Sequence, residues 1–198
     1  MIKFNNITQN IPYTLFQDFY SNALRQGQKN IEAIAISSYN PAKKEVDSRF
    51  VNLKFIQNDE FIFFTNYNSP KSIAFNANSQ ISALIYWHTI NVQIRIKATI
   101  KKTTVEFNKE YFKNRAKSKN ILAISSNQSN IISSYNKVLS KYEDVKNSSN
   151  LEECPKYWGG YSFTPYEIEF WEGHQNRLNN RNLYKKDEKT WSRFTLEP

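Results

Sequence analysis

The chain has 198 residues, a net charge of +9, one cysteine, two histidines and 15% aromatic residues. That length fits one domain, or one subunit of a compact oligomer, with a sizeable core. A lone Cys154 excludes an intrachain disulfide and fits a reducing cytoplasm; His88 and His174 form no Cys/His cluster with metal-ligand spacing, which argues against zinc.

The charge suits a phosphate-bearing ligand, nucleic acid or an acidic membrane surface equally well. The basic residues are spread along the chain rather than blocked, which favours a positively biased surface over a nucleic-acid stripe. No apolar run approaches the ~20 residues of a membrane span, and Met1–Asn6 lacks the apolar core of a signal peptide. These features read as a cytoplasmic protein.

In chain order, Pro12 stands where a helix can begin, and Leu15, Phe16, Phe19, Tyr20, Ala23 and Leu24 recur on one helical face. Glu32–Ser37 reads as a strand, and a loop over Asn40–Lys44 leads to a second, Arg49–Ile56. The polar turn Gln57-Asn58-Asp59 joins it to Glu60–Thr65, making a hairpin. Ser69-Pro70-Lys71 opens the next helix, with Ser69 as N-cap and Pro70 in the first turn. Ile81–Trp87 reads as a buried strand. Val92, Ile94, Ile96, Ala98 and Ile100 then alternate with Gln93, Arg95, Lys97 and Thr99, the pattern of a long antiparallel strand with one core face.

Two helical stretches follow, near Asn108–Ser118 and Ile131–Val145, then a polar loop over Lys146–Lys156. The tail carries Trp158-Gly159-Gly160-Tyr161 and strand-like segments at Ile168–Trp171, Arg177–Tyr184 and Trp191–Leu196. There are no internal repeats. Hairpins and meanders joined this way argue an α+β chain with an antiparallel β-barrel and appended helices.

Some residues could bind a phosphate. Ser69-Pro70-Lys71 places a hydroxyl, free amides and a cation at a helix start, although an ordinary capped helix looks the same. Arg49 and Lys54 are five residues apart on one strand, so their side chains leave opposite faces unless a bulge intervenes. Gln93 and Arg95 share the polar face of the best strand. Individually these features are generic.

In order, however, Arg49-Phe-Val-Asn-Leu-Lys54, Phe64-Thr65-Asn66, Ser69-Pro70-Lys71, Trp87-His88-Thr89, Gln93-Ile-Arg95, Gln128-Ser129, Trp158-Gly159-Gly160 and Glu169-Phe-Trp-Glu-Gly…Arg177-Leu178…Arg181 resemble the pyridoxamine 5′-phosphate oxidase family. The resemblance runs from about Pro12 to Pro198, with its strongest signature over 155–198. It implies a single split β-barrel domain, α+β with flanking helices, forming a homodimer with FMN at the subunit interface. Arg49, Phe64, Thr65, Lys71, Gln93, Gln128, Ser129, Trp171 and Arg181 match flavin-contact positions. Lys54, Tyr111, Arg115, Arg177 and Asn179 match substrate positions, and Arg177 the catalytic one, holding substrate against the flavin and stabilising developing charge. The implied reaction converts pyridoxamine or pyridoxine 5′-phosphate to pyridoxal 5′-phosphate, with dioxygen as acceptor. The flavin performs the redox step, so no acid–base dyad is required.

The chain departs from the family pattern at Pro70, where members commonly carry Arg, at Lys119, commonly Ser, and at Asn179, commonly His. It also has a short N-terminus without the basic, tyrosine-containing arm of well-known members. Asn can hydrogen-bond but cannot carry a positive charge. These departures keep two alternatives open: a related flavin oxidase of the phenazine-biosynthesis type, or a non-catalytic split-barrel protein that binds FMN, pyridoxal phosphate or haem.

Overall fold

The computed structural model describes residues 1–148, 150–188 and 190–198. In chain order the elements are β1 (Lys3–Asn5), α1 (Ile11–Arg25), β2 (Ala33–Asn40), β3 (Glu45–Gln57), β4 (Glu60–Asn66), α2 (Pro70–Ala77), β5 (Gln80–Trp87), β6 (Val92–Lys102), α3 (Val105–Asn114), α4 (Lys117–Ser125), α5 (Tyr135–Ser148), β7 (Trp158–Glu172), β8 (Asn180–Asp187) and β9 (Thr190–Leu196). A single 3-10 turn over His88–Ile90 links β5 to β6.

Six strands close into a ring, β3–β2–β5–β6–β7–β4 and back to β3, with every pairing antiparallel. β1 adds in parallel beside β3, while β8 and β9 extend the sheet outward from the far half of β7. This is an α+β split barrel with flanking helices. Among the described residues no helix is long and apolar enough to cross a membrane.

The barrel interior is aromatic. Phe61 stacks on Phe163 with ring centroids 5.2 Å apart, and Phe16 from α1 meets Phe61 and Trp87 edge-on at 5.2 and 5.4 Å. The helical stripe read from the sequence accounts for this contact. Phe16, Tyr20 and Ala23 are buried, whereas Leu24 at the stripe's margin is exposed. Truncating a ring as enclosed as Phe16 to Ala typically costs ~3–5 kcal/mol.

Four expectations need correction. β5 is not buried on both faces: Ile81, Ala83, Ile85 and Trp87 point inward, and Leu84 and Tyr86 lie 40% and 54% exposed. The apolar run concealed an alternation, because its outward residues are apolar too. The helix expected near Asn108–Ser118 is two helices, α3 and α4, parted where Arg115 turns extended (φ −90°, ψ 164°). No glycine or proline marks the break, which left it invisible to pattern reading. Finally, Trp158 to Glu172 is one continuous strand rather than separate segments, and α5 runs into the stretch read as a polar loop.

Candidate functional site

An open cleft of about 240 Å³ lies against the outer side of β3 and β4, just under the ~300–1,000 Å³ usual for small-molecule sites. It gathers Lys54, Phe64, Thr65, Lys71, Tyr111, Arg115 and Gln128 from the sequence-derived set and adds Asn52, Lys119 and Trp158. Four of its lining side chains are cations and none is a carboxylate.

One end of the cleft is built on the β4–α2 junction. Ser69 takes the N-cap position of α2 with extended backbone, but its side chain does not cap the helix. Its hydroxyl instead donates to the Asn66 carbonyl at 2.7 Å, fixing the turn from which Lys71 projects. Lys71 Nζ donates to Thr65 Oγ1 and to Ser69 Oγ, both at 3.1 Å. Thr65 Oγ1 in turn donates to Gln128 Oε1 at 3.2 Å, which also accepts from the Asn66 amide.

Lys71 is 7% exposed, and no carboxylate among the described residues reaches ion-pair distance of it. Burial, aided by repulsion from Arg49, lowers its pKa to about 8, and attraction from Asp47 offsets this only in part. A buried ammonium held by hydroxyls alone is short of counter-charge, which is the condition an incoming anion relieves. Arg49 stands nearby on β3, donating to the Ile36 carbonyl and to Ser38 Oγ at 2.8 Å and pairing with the exposed Asp47.

The other end is cationic and aromatic. The bulge that the spacing of Arg49 and Lys54 left open is present, because the β3–β4 register shifts between Leu53 and Phe55. Leu53 and Ile56 both point into the core, so Lys54 and Phe55 between them both lie on the outer side. Lys54 reaches the cleft and pairs with Glu32 at 3.6 Å. Tyr111 stacks on Phe64 at 3.8 Å and 12°, and Phe64 stacks on Trp158 at 5.2 Å and 9°. The Arg115 guanidinium lies 4.6 Å from the Trp158 ring centroid, a cation–π contact. Burial lowers the pKa of Lys54 and of Arg115.

Gly160 permits this packing. A Cβ there would lie 2.5 Å from Thr103 Oγ1 and 3.1 Å from the Phe64 ring. Asn108 on α3 ties the region together, accepting from the Thr103 hydroxyl at 2.6 Å and the Gly160 amide at 2.8 Å and donating to the Tyr67 hydroxyl at 3.1 Å. It thereby anchors the helix that carries Tyr111.

The remaining residues form a second group. Gln93, Trp171 and Arg181 are direct cross-strand partners on β6, β7 and β8, so they form one row on one sheet face. Beside it, the buried Glu169 accepts from Arg95 at 2.9 Å and from Arg181 Nε at 2.8 Å. Trp171 sits 13 residues beyond Trp158 along β7, on the order of 40 Å of strand contour at ~3.3 Å per residue. None of the row lines the cleft.

Arg177 lies exposed in the β7–β8 turn with φ 61°, and Asn179 Oδ1 accepts from the His174 amide at 3.0 Å inside that turn. Ser129 lies outside the cleft lining, in a turn with φ 70°.

Sequence reading missed Glu32, Asn108 and Trp158 as parts of the site, and Glu169 as the clamp on Arg181. Glu169 stands within the C-terminal signature, which is a usable signal. Glu32 and Asn108 carry none, because their partners lie 22 and 52 residues away in the chain.

Comparison with known proteins agrees across sequence and fold. A family model described as the pyridoxine 5′-phosphate oxidase C-terminal dimerisation region matches residues 158–198. A pyridoxine/pyridoxamine 5′-phosphate oxidase from Colwellia psychrerythraea is 34% identical over 190 residues, covering 94% of this chain and 87% of the relative. One from Leptospira biflexa is 33% identical over 189 residues, covering 94% and 89%. Among solved structures, PhzG from Burkholderia lata in complex with tetrahydrophenazine-1-carboxylic acid superposes with a TM-score of 0.87 at 22% identity, covering 94% of this chain and 92% of that one. A pyridoxamine 5′-phosphate oxidase-related, FMN binding protein from Nostoc punctiforme gives 0.79 at 11% identity, covering 96% and 99%.

Proposed function

The chain belongs to the pyridoxine/pyridoxamine 5′-phosphate oxidase family, and we propose that it is an FMN-dependent oxidase converting pyridoxamine or pyridoxine 5′-phosphate to pyridoxal 5′-phosphate with dioxygen as acceptor. The observation that carries this reading is the cleft itself: Lys71 at one end, Lys54, Arg115 and Lys119 at the other, an aromatic stack between them, and no lining carboxylate. Such a lining suits two phosphate groups on either side of flat rings.

The residues present fit FMN. Lys71 is a buried cation in want of an anion, and Thr65, Gln128 and Arg49 surround it with hydrogen-bonding groups. When bound, FMN would supply the two-electron acceptor that dioxygen then regenerates. The chain's own work is binding, orientation and exclusion of water. In this reading Lys71, Thr65 and Arg49 hold the flavin phosphate, with Phe64, Gln128 and Ser129 along the rest of the molecule. Lys54, Tyr111 and Arg115 fix the substrate phosphate.

Gln93, Trp171 and Arg181 cannot serve the same cleft from so far along the same sheet. We assign them, with Arg177 and Asn179, to the site of a second copy in a twofold homodimer, so that each cleft is completed across the interface. The family match over 158–198, which covers β7 to β9, supports that arrangement.

The test is spectroscopic. FMN-loaded protein, mixed anaerobically with pyridoxamine 5′-phosphate, is expected to lose its yellow flavin absorbance. Air should restore it with release of pyridoxal 5′-phosphate, ammonia and hydrogen peroxide. Flavin that stays oxidised with both phosphorylated substrates would refute the assignment. A second reading, a related flavin oxidase acting on another substrate, is favoured by Asn179: its side-chain oxygen is engaged within its own turn, where the family commonly has a histidine. Bleaching by a different ligand, and by neither phosphorylated substrate, would select it.

A further inference from the structure

The outer end of the cleft has a charge balance that the family resemblance does not assign. Three cations converge there: Lys54, Arg115 and Lys119. Arg115 is held by neutral groups, since its Nη2 donates to the Lys119 carbonyl at 2.9 Å and its guanidinium rests on Trp158. Among the described residues no carboxylate reaches ion-pair distance of Arg115, and the Lys119 ammonium is exposed and likewise without one. Of the three only Lys54 has a counter-ion, Glu32, with Nζ and Oε1 3.6 Å apart and both side chains roughly three-quarters buried; the same oxygen also lies 3.7 Å from the Met1 amino group. Three cations that share one carboxylate with the Met1 amino group leave the subsite with at least two uncompensated positive charges, which suits a phosphate dianion near neutral pH.

We propose that Glu32 and Lys119 set the charge specificity of this subsite: Glu32 is the counter-ion that an incoming phosphate displaces from Lys54, and Lys119 is the added cation that makes the subsite select a dianion. The contact geometry supports displacement. At 3.6 Å the Lys54–Glu32 pair is an ion pair without a short hydrogen bond, so Lys54 can turn to a better acceptor at small cost. Glu32 sits at the entrance to β2, outside the cleft lining, and opposes a ligand phosphate by charge alone. Lys119 is fixed relative to Arg115 through its own carbonyl, so the two cations act as one clamp. This inference rests on the reading that a phosphorylated substrate enters the cleft.

The experiment is calorimetric titration of FMN-loaded protein with pyridoxal 5′-phosphate and, separately, with unphosphorylated pyridoxal at pH 7.5. Glu32→Gln is expected to tighten pyridoxal 5′-phosphate binding about threefold, the scale of a partly exposed ion pair. Lys119→Ser is expected to weaken it roughly tenfold, the scale of a charge-assisted hydrogen bond. Neither substitution should shift pyridoxal. Lys119→Glu, a reversal at an exposed position that folding tolerates, should weaken the phosphate ligand further still, and Glu32→Ser repeats the first test without an amide. If Glu32→Gln and Glu32→Ser leave the phosphate ligand unchanged or weaken it, or if the Lys119 variants leave it unchanged, the inference is overturned. Equal shifts for pyridoxal would overturn it as well. A wild-type protein that binds pyridoxal 5′-phosphate no more tightly than pyridoxal refutes the functional reading itself.

Discussion

Lys71 gives the sharpest quantitative handle on the cleft. Its pKa is lowered to about 8, chiefly by burial and then by Arg49, against an ordinary lysine value near 10.5. That gap corresponds to roughly 3 kcal/mol between its protonated and neutral forms. A flavin phosphate, dianionic above about pH 7, would restore the charged form. The sign follows from comparing free and bound states. Below pH 8 Lys71 is protonated in both, and affinity is at its full value. Between pH 8 and the higher pKa of the complex, binding must take up a proton, so affinity falls about tenfold per pH unit. Titrating apo-protein with FMN from pH 7 to 9.5, following flavin fluorescence, should give a plateau and then a decline of about thirtyfold if the full gap is recovered. Riboflavin, without the phosphate, should show no decline. Lys71→Met should weaken FMN and abolish the pH dependence. It should also stabilise the apo-protein at pH 7, because a buried charge is removed while the Thr65 and Ser69 hydroxyls keep their own acceptors. A wild-type FMN affinity that stays flat across this range, or one that declines identically in Lys71→Met, would show that Lys71 does not meet the phosphate.

Two further outcomes follow from packing and symmetry. Gly160→Ala forces a methyl group against Thr103 and Phe64, and is expected to cost about 1–3 kcal/mol, read as a lowered midpoint in thermal unfolding; an unchanged midpoint would mean that the strand yields freely there. If each cleft is completed by a partner's Gln93–Trp171–Arg181 row, Lys71→Met and Arg181→Ala homodimers should both bind FMN poorly. Unfolding and refolding them together should recover about a quarter of wild-type sites, since half the dimers are mixed and each has one intact site. No recovery in verified mixed dimers would place both residues in one subunit's site.

How much of this was legible beforehand depended on the range of the interaction. The β6 alternation and the α1 stripe were plain, because burial acts on them with a fixed local period. For Arg49 and Lys54 the plain alternation holds, with Arg49 in phase with the inward Leu53 and Lys54 on the outer side. The bulge, set by register against β4, adds Phe55 to the outer face and does not bring the two cations onto one face. β5 misled because Leu84 and Tyr86 are apolar and yet point outward, and hydrophobicity cannot report which face a residue occupies when both faces carry it. The split between α3 and α4 follows contacts of Arg115 with Lys119 and Trp158 rather than a helix breaker. For the site, the ordered residues named the cleft and the β6–β8 row together. Their separation into two places needed the sheet.

That separation has a structural origin in β7. One continuous strand closes the barrel against β4 at its Trp158 end and carries β8 and β9 at its Trp171 end. Gly159 and Gly160 let helix α3 press close at the first end, so the cleft's aromatic wall is set by β7. At the second end the same strand presents Trp171 between Gln93 and Arg181, with Glu169 neutralising part of the local positive charge. A row of this kind, one aromatic ring flanked by an amide and a guanidinium, would suit a flat polar ligand. Among the described residues Arg181 in this row donates to Glu169 and to the Glu197 carbonyl, and neither partner is a lysine. The cleft has cations and stacked rings on one side and an open face on the other. A strand too long to fold back on itself keeps the two apart. In the proposed twofold homodimer each cleft would meet the other chain's row, which is the arrangement the mixed-dimer experiment reads.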